Sequence, residues 1–134
     1  MQTIVLISCV SQKKPHKAKA KDLYISALFR KALAYAHKLN PDVVYILSAK
    51  YGLLDLETEI EPYDLTLNKM PVGDIKAWAK KILVQLSAKT DLQQDHFVFF
   101  AGEKYRKYLN SHISSFEVPM KGMPIGKQLQ FLSE

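Results

Sequence analysis

Cysteine is nearly absent: Cys9 is the only one in 134 residues. That excludes an internal disulfide framework and leaves no cysteine pair to seed a zinc cluster. The four histidines, His16, His37, His96 and His112, are scattered without metal-ligand spacing, so neither a metal nor another cofactor is expected. No apolar run approaches the roughly 18 to 20 residues that span a bilayer. The N-terminus also lacks the basic flank, long apolar stretch and small-residue cleavage site of a signal peptide. No membrane partner is expected, and cytoplasmic residence is the default. Between Gln12 and Lys21 there is no acid and no glycine. Without glycines the backbone cannot wrap a phosphate as a Walker loop does.

What is present fits one soluble domain spanning residues 1–134: hydrophobic content is 48% and charged content 24%, ordinary values for a chain able to bury a core. The net charge of +6 favours anionic partners. Much of the excess is local, because Lys13, Lys14, Lys17, Lys19 and Lys21 crowd a single segment.

Three runs organise the chain: Ile4-Val5-Leu6-Ile7, Val43-Val44-Tyr45-Ile46-Leu47 and Phe97-Val98-Phe99-Phe100. Each is apolar at every position, as in parallel strands covered on both faces. From Leu23 to Leu39, and again from Val72 to Ala88, apolar residues recur at three and four, the period of an amphipathic helix. Asp22 reads as the N-cap of the first helix, and Asn40-Pro41 as its end. Strand, crossover helix and strand make a right-handed βαβ unit. The expected fold is therefore α/β: a single three-layer α/β/α domain with a central, mostly parallel sheet of about four strands, the last at Phe116 to Val118. A short helix is expected from Glu103 to Leu109, and a capping helix from Pro124 to Leu132 that uses Ile125, Leu129 and Leu132. Gln12 to Lys21 reads as a mobile basic loop, and Leu54 to Met70 as a long loop without helical or strand period.

Parallel strands would bring the polar breaks after each run to one carboxyl edge, where ligands bind in open α/β sheets. Those breaks supply Ser8, Cys9 and Ser11, then Ser48, Lys50, Tyr51 and Gly52, then Gly102. Cys9 beside lysines and a helix start could be an activated thiol, or simply a small buried hydrophobe. Lys13, Lys14 and Lys21 before a helix N-terminus could hold a phosphate, or form a solvated basic loop. Tyr24 and Ser26 fall in the first turn of that helix. Tyr24 or Tyr51 could stack on a base, Tyr63 is a further candidate for substrate contact, and Lys50 could neutralise an anion. Glu61 and Asp64 flank Pro62-Tyr63 and are candidates for general acid or base, the other reading being a charged surface loop.

The motifs Leu6-Ile7-Ser8-Cys9, Ala20-Lys21-Asp22-Leu23-Tyr24, Ile46-Leu47-Ser48-Ala49-Lys50-Tyr51-Gly52-Leu53-Leu54 and Glu61-Pro62-Tyr63-Asp64 together resemble a family of small uncharacterised bacterial and phage proteins. More distantly the chain is similar to the YaaA peroxide-stress proteins and the core domain of archaeosine synthase. That resemblance implies a uracil-DNA-glycosylase-like fold and a link to nucleic acids or modified bases. The leading expectation is an enzyme acting on a nucleotide, nucleobase or nucleic-acid base, of N-glycosidase or base-modification type. A non-catalytic nucleic-acid-binding module using residues 12–21 is the alternative, and a regulatory or interaction protein the third.

Overall fold

The computed structural model describes residues 1–8 and 12–134; Cys9, Val10 and Ser11 lie outside the described residues. The core is a five-stranded sheet. Strand β1 (Thr3–Ser8) lies at its centre, paired in parallel with a strand on either side. Before returning to the sheet the chain forms β2 (Ala18–Lys19), α1 (Ala20–Leu23) and α2 (Ala27–Lys38). Then come β3 (Val43–Ser48), β4 (Gly52–Asp55), β5 (Glu59–Ile60) and α3 (Val72–Lys89). The remainder supplies β6 (His96–Phe100), α4 (Glu103–Arg106), β7 (Ser115–Glu117) and α5 (Ile125–Leu132). The sheet order is β4-β3-β1-β6-β7, with only β4 antiparallel.

The uninterrupted apolar runs follow from this layering. Along β1, Ile4 and Leu6 face the cluster built on α3, while Val5 and Ile7 face the cluster built on α2. In β3, Tyr45 and Leu47 divide from Val44 and Ile46 in the same way, and in β6 Phe97 and Phe99 divide from Val98 and Phe100. Both faces are dry, so the strands are apolar between their ends. On α3, Ile75, Trp78, Ala79, Ile82 and Leu86 are buried, as the period requires. Asn40 adopts φ 52° just past α2, the left-handed stop that asparagine tolerates better than most residues. No helix among the described residues is long and apolar enough to cross a membrane.

Five features differ from the sequence expectation. The sheet has a fifth strand, β4, which turns back on β3 through Gly52 at φ 78°. A Cβ there would lie 2.6 Å from Gln85 Oε1, the oxygen that accepts from the Leu53 N–H at 2.9 Å. Residues 12–21 are not one open loop: Lys14 N–H donates to Leu23 O and Ile25 N–H to Gln12 O, and β2 pairs with β5. This extended pairing draws in Tyr24, so helical geometry restarts only at Ala27. The cap of α2 is accordingly Ser26, whose Oγ accepts from Phe29 N–H at 3.2 Å, and Asp22 sits inside α1. Residues 54–70, expected as a long loop, hold the end of β4, β5 and a 3₁₀ turn at Leu67–Lys69. Finally, Ile125 is 58% exposed, and Leu132 is the α5 residue that is buried.

Two carboxylates tie down the amino ends of the strands. Asp42 Oδ2 accepts from Thr3 N–H at 2.7 Å. Asp95 accepts from Gln2 N–H at 2.7 Å and from Asp91 N–H at 2.8 Å. The Asp91 and Gln2 N–H groups hold the Asp95 carboxyl below its ordinary range. A depressed carboxylate contributes stability that is present above the unfolded value, about 3.9, and is lost as pH falls through the folded one. Asp95→Asn is therefore expected to lower the urea midpoint at pH 6, with the gap to wild type closing below about pH 4. A gap independent of pH would show that the carboxylate charge is not the cause.

Candidate functional site at the carboxyl edge

The strand order reverses between β1 and β6, since the chain places β3 on one side of β1 and then crosses over to β6 on the other. Carboxyl ends flank a crevice at such a point. A cavity of about 260 Å³ opens there. Its floor is Ser8 at the end of β1 and Ala101-Gly102 at the end of β6, joined by Gly102 N–H donating to Ser8 Oγ at 3.2 Å. Leu28, Phe29 and Ala32 of α2 form one wall. Glu103 and Arg106 of α4 form another, and Val118, Met120, Lys121 and Met123 close the third. Arg106 Nε donates to Ala101 O at 3.3 Å, which fixes the plane of the guanidinium at the rim.

A second constellation lies at the neighbouring carboxyl end, that of β3. Ser48, fully buried, donates to Tyr63 Oη at 3.0 Å and accepts from Tyr51 N–H at 2.9 Å. Tyr63 Oη lies 2.6 Å from Tyr24 Oη. The Lys13 ammonium stands 4.4 Å from the Tyr63 ring centroid and 5.7 Å from that of Tyr24. Tyr51 packs edge-on to Tyr63 and donates to Glu61 O at 3.3 Å. The two constellations meet through Phe29, a cavity-wall residue whose ring centroid is 5.0 Å from that of Tyr24. From the other face, Trp78 Nε1 donates to Ser48 O at 2.9 Å.

Of the residues singled out in the sequence, Ser8 and Gly102 line the cavity. Lys13, Tyr24, Ser48, Tyr51 and Tyr63 form the tyrosine cluster beside it. Lys50 is exposed, its ammonium 5.3 Å from the Tyr51 ring centroid. Glu61 and Asp64 are exposed on the segment that Tyr63 anchors. Gly52 is buried in the β3–β4 turn, Ser26 caps α2, and Lys14 joins the backbone pairing with Leu23. Lys21 turns to Glu57 at 2.9 Å, and Lys19 reaches the same carboxylate at 3.1 Å. Hydrogen bonds from Lys21 and Lys19 hold Glu57 below the usual carboxylate range, and Glu57 raises Lys21 in turn. Two of the five clustered lysines thus have an acidic partner. Cys9 and Ser11 lie outside the described residues.

Sequence reasoning missed Arg106, Lys121, Met120 and Met123. The one usable signal was Gly102-Glu103 after the third apolar run, since a helix beginning there carries its next turn, with Arg106, to the same edge. A third polar row, with His96 Nδ1 2.6 Å from Ser115 Oγ and Nε2 2.7 Å from Glu117 Oε2, lies on β6 and β7. None of these three residues lines the cavity; the row reinforces the pairing of the edge strand. No group of three or more histidine, cysteine or acidic side chains among the described residues is placed to hold a metal ion.

Comparison with known proteins finds a family model, described as a family of unknown function (DUF6884), that matches residues 4–134. The chain is also 31% identical over 130 residues to the dorsal-ventral patterning protein Sog of Drosophila melanogaster. That match covers 96% of this chain and 12% of Sog. No solved structure matches.

Proposed function

The chain belongs to the DUF6884 family, whose function is unknown, and from its own geometry we propose that it is an enzyme acting on a nucleobase or nucleotide held in the cavity between β1 and β6. The observation that carries this reading is the cavity's position and lining. A hollow of about 260 Å³ sits where the strand order reverses, with apolar walls and a few polar groups converging on it, as ligand sites in α/β sheets do. Soft apolar walls suit a flat ring, and Arg106 and Lys121 suit an anion. The distant resemblance to the YaaA proteins and archaeosine synthase, limited to a strand, a Leu-Ser turn and a following tyrosine-containing loop, is in keeping with a base, modified or not, as the ligand. The chemistry we assign to Glu61 or Asp64 as general acid or base, on the segment that Tyr63 anchors, with Lys50, whose ammonium stands over Tyr51, as a neutralising charge; Cys9, outside the described residues, is a further candidate. An extended grip on nucleic acid by residues 12–21 is less favoured, because Lys19 and Lys21 share Glu57.

The test is a thermal-shift screen of nucleotides, nucleosides and deazaguanine bases, repeated with Lys50→Ala, Glu61→Ala and Met120→Trp. A ligand at 100 times its Kd stabilises by about 2.7 kcal/mol, several degrees for a domain of this size. The indole of Met120→Trp should fill the cavity and abolish the shift. Loss of the shift in Lys50→Ala or Glu61→Ala would join the tyrosine cluster to the same site. A shift that survives Met120→Trp would refute the cavity as the binding place, and steeply salt-dependent binding of short DNA or RNA would favour the nucleic-acid module instead.

A further inference from the structure

We infer that the cavity takes a free nucleoside monophosphate, with its phosphate on Arg106 and Lys121, its ribose on Glu103 and its base against Met120 and Met123. The inference rests on the nucleotide reading above and specifies it. Arg106 is half-buried, and its Nε is committed to Ala101 O. No acceptor among the described residues takes its terminal N–H groups, which leaves a planar fork for a bidentate phosphate. Lys121, exposed and also lining the cavity, adds a second cation. A phosphate monoester carries close to two negative charges at neutral pH, matching this pair. A diester carries one, and each strand continues in both directions beyond it.

Glu103 discriminates further. It lies three residues before Arg106 on α4, so the two side chains share a helix face. A carboxylate beside the phosphate site accepts from ribose hydroxyls, as acids do in dinucleotide folds. Met120 and Met123 are half-buried on either side of the turn at Gly122, itself at φ 78°. Their thioethers can lie against an aromatic ring without demanding one base edge. The hollow of about 260 Å³ falls just below the usual range for ligand sites, so it takes one nucleotide at most.

The experiment is titration calorimetry at physiological salt with AMP, GMP, CMP and UMP, the matching nucleosides, inorganic phosphate and a five-nucleotide single strand. It is run on the wild-type protein, Lys121→Gln and Glu103→Gln. Both substitutions fall at exposed positions, and circular dichroism confirms the fold of each. At least one monophosphate should bind tenfold or more tighter than its nucleoside. Lys121→Gln should weaken that nucleotide about tenfold, the scale of one charge-assisted bond, and leave the nucleoside unchanged. Glu103→Gln should weaken the nucleotide but not inorganic phosphate. A nucleoside binding as tightly as its monophosphate would overturn the inference and leave the cavity reading standing. A strand binding more tightly than the monophosphate would also overturn it. Silence from every ligand would overturn the inference, and silence of the free bases in the thermal-shift screen as well would overturn the cavity reading.

Discussion

Trp78→Ala is expected to cost the fold about 3–5 kcal/mol, the range for removing a large buried aromatic. Trp78 is buried in the cluster beneath α3 and packs edge-on to Tyr105, with ring centroids 5.5 Å apart. Its Nε1–H also satisfies the carbonyl of Ser48. That carbonyl ends β3, and the Ser48 side chain holds Tyr63 and Tyr51 in place. The damage therefore should extend across the sheet from the core to the carboxyl edge. Trp78→Phe keeps most of the bulk and loses the hydrogen bond, so about 1–3 kcal/mol is expected. Since the whole stability of such a domain is of order 5–15 kcal/mol, the alanine variant should sit close to unfolding at 37 °C. Urea denaturation of the two variants measures the ladder. Equal losses in both would place the effect in the hydrogen bond and not in packing.

Tyr63→Phe should have the next largest effect, about 1–2 kcal/mol, because one oxygen is shared by Ser48 and Tyr24. Tyr24→Phe should cost a similar amount. The double variant should lose less than the sum, with a coupling of about 1 kcal/mol, as for residues in one network. Additive losses would mean that the two hydroxyls act separately. Tyr63 also anchors the segment carrying Glu61 and Asp64. Amide exchange should therefore speed up over residues 61–66 in Tyr63→Phe while β1 and β3 stay protected. Unchanged exchange there would show the segment to be held by other contacts.

The central strands were legible because their environment imposes one requirement at every position. Val43 to Leu47 and Phe97 to Phe100 are buried on both faces, so the apolar run itself encodes the parallel pairing. β2 and β5 left no such mark: each has two residues, and their pairing depends on chain segments that meet only after folding. β4 escaped for a related reason. Gly52-Leu53-Leu54 follows the polar break after Leu47 and is too short to show a strand period, and only the positive φ of Gly52 shows the reversal. For the site, small residues at strand ends pointed to Ser8, Ser48 and Gly102. The third wall comes from residues 118–123, where turns at Val118–Lys121 and Met120–Met123 have no periodicity to read.

That third wall also fixes a timetable. Ser8 and α2 are made early and Gly102 follows β6, whereas Met120, Met123 and Gln128, all cavity residues, leave the ribosome after every strand of the sheet. Domains made from the N-terminus onward can begin to pack before they are finished. On the ribosome, then, the nascent chain can assemble its sheet while the cavity stays incompletely lined until residue 128 has emerged.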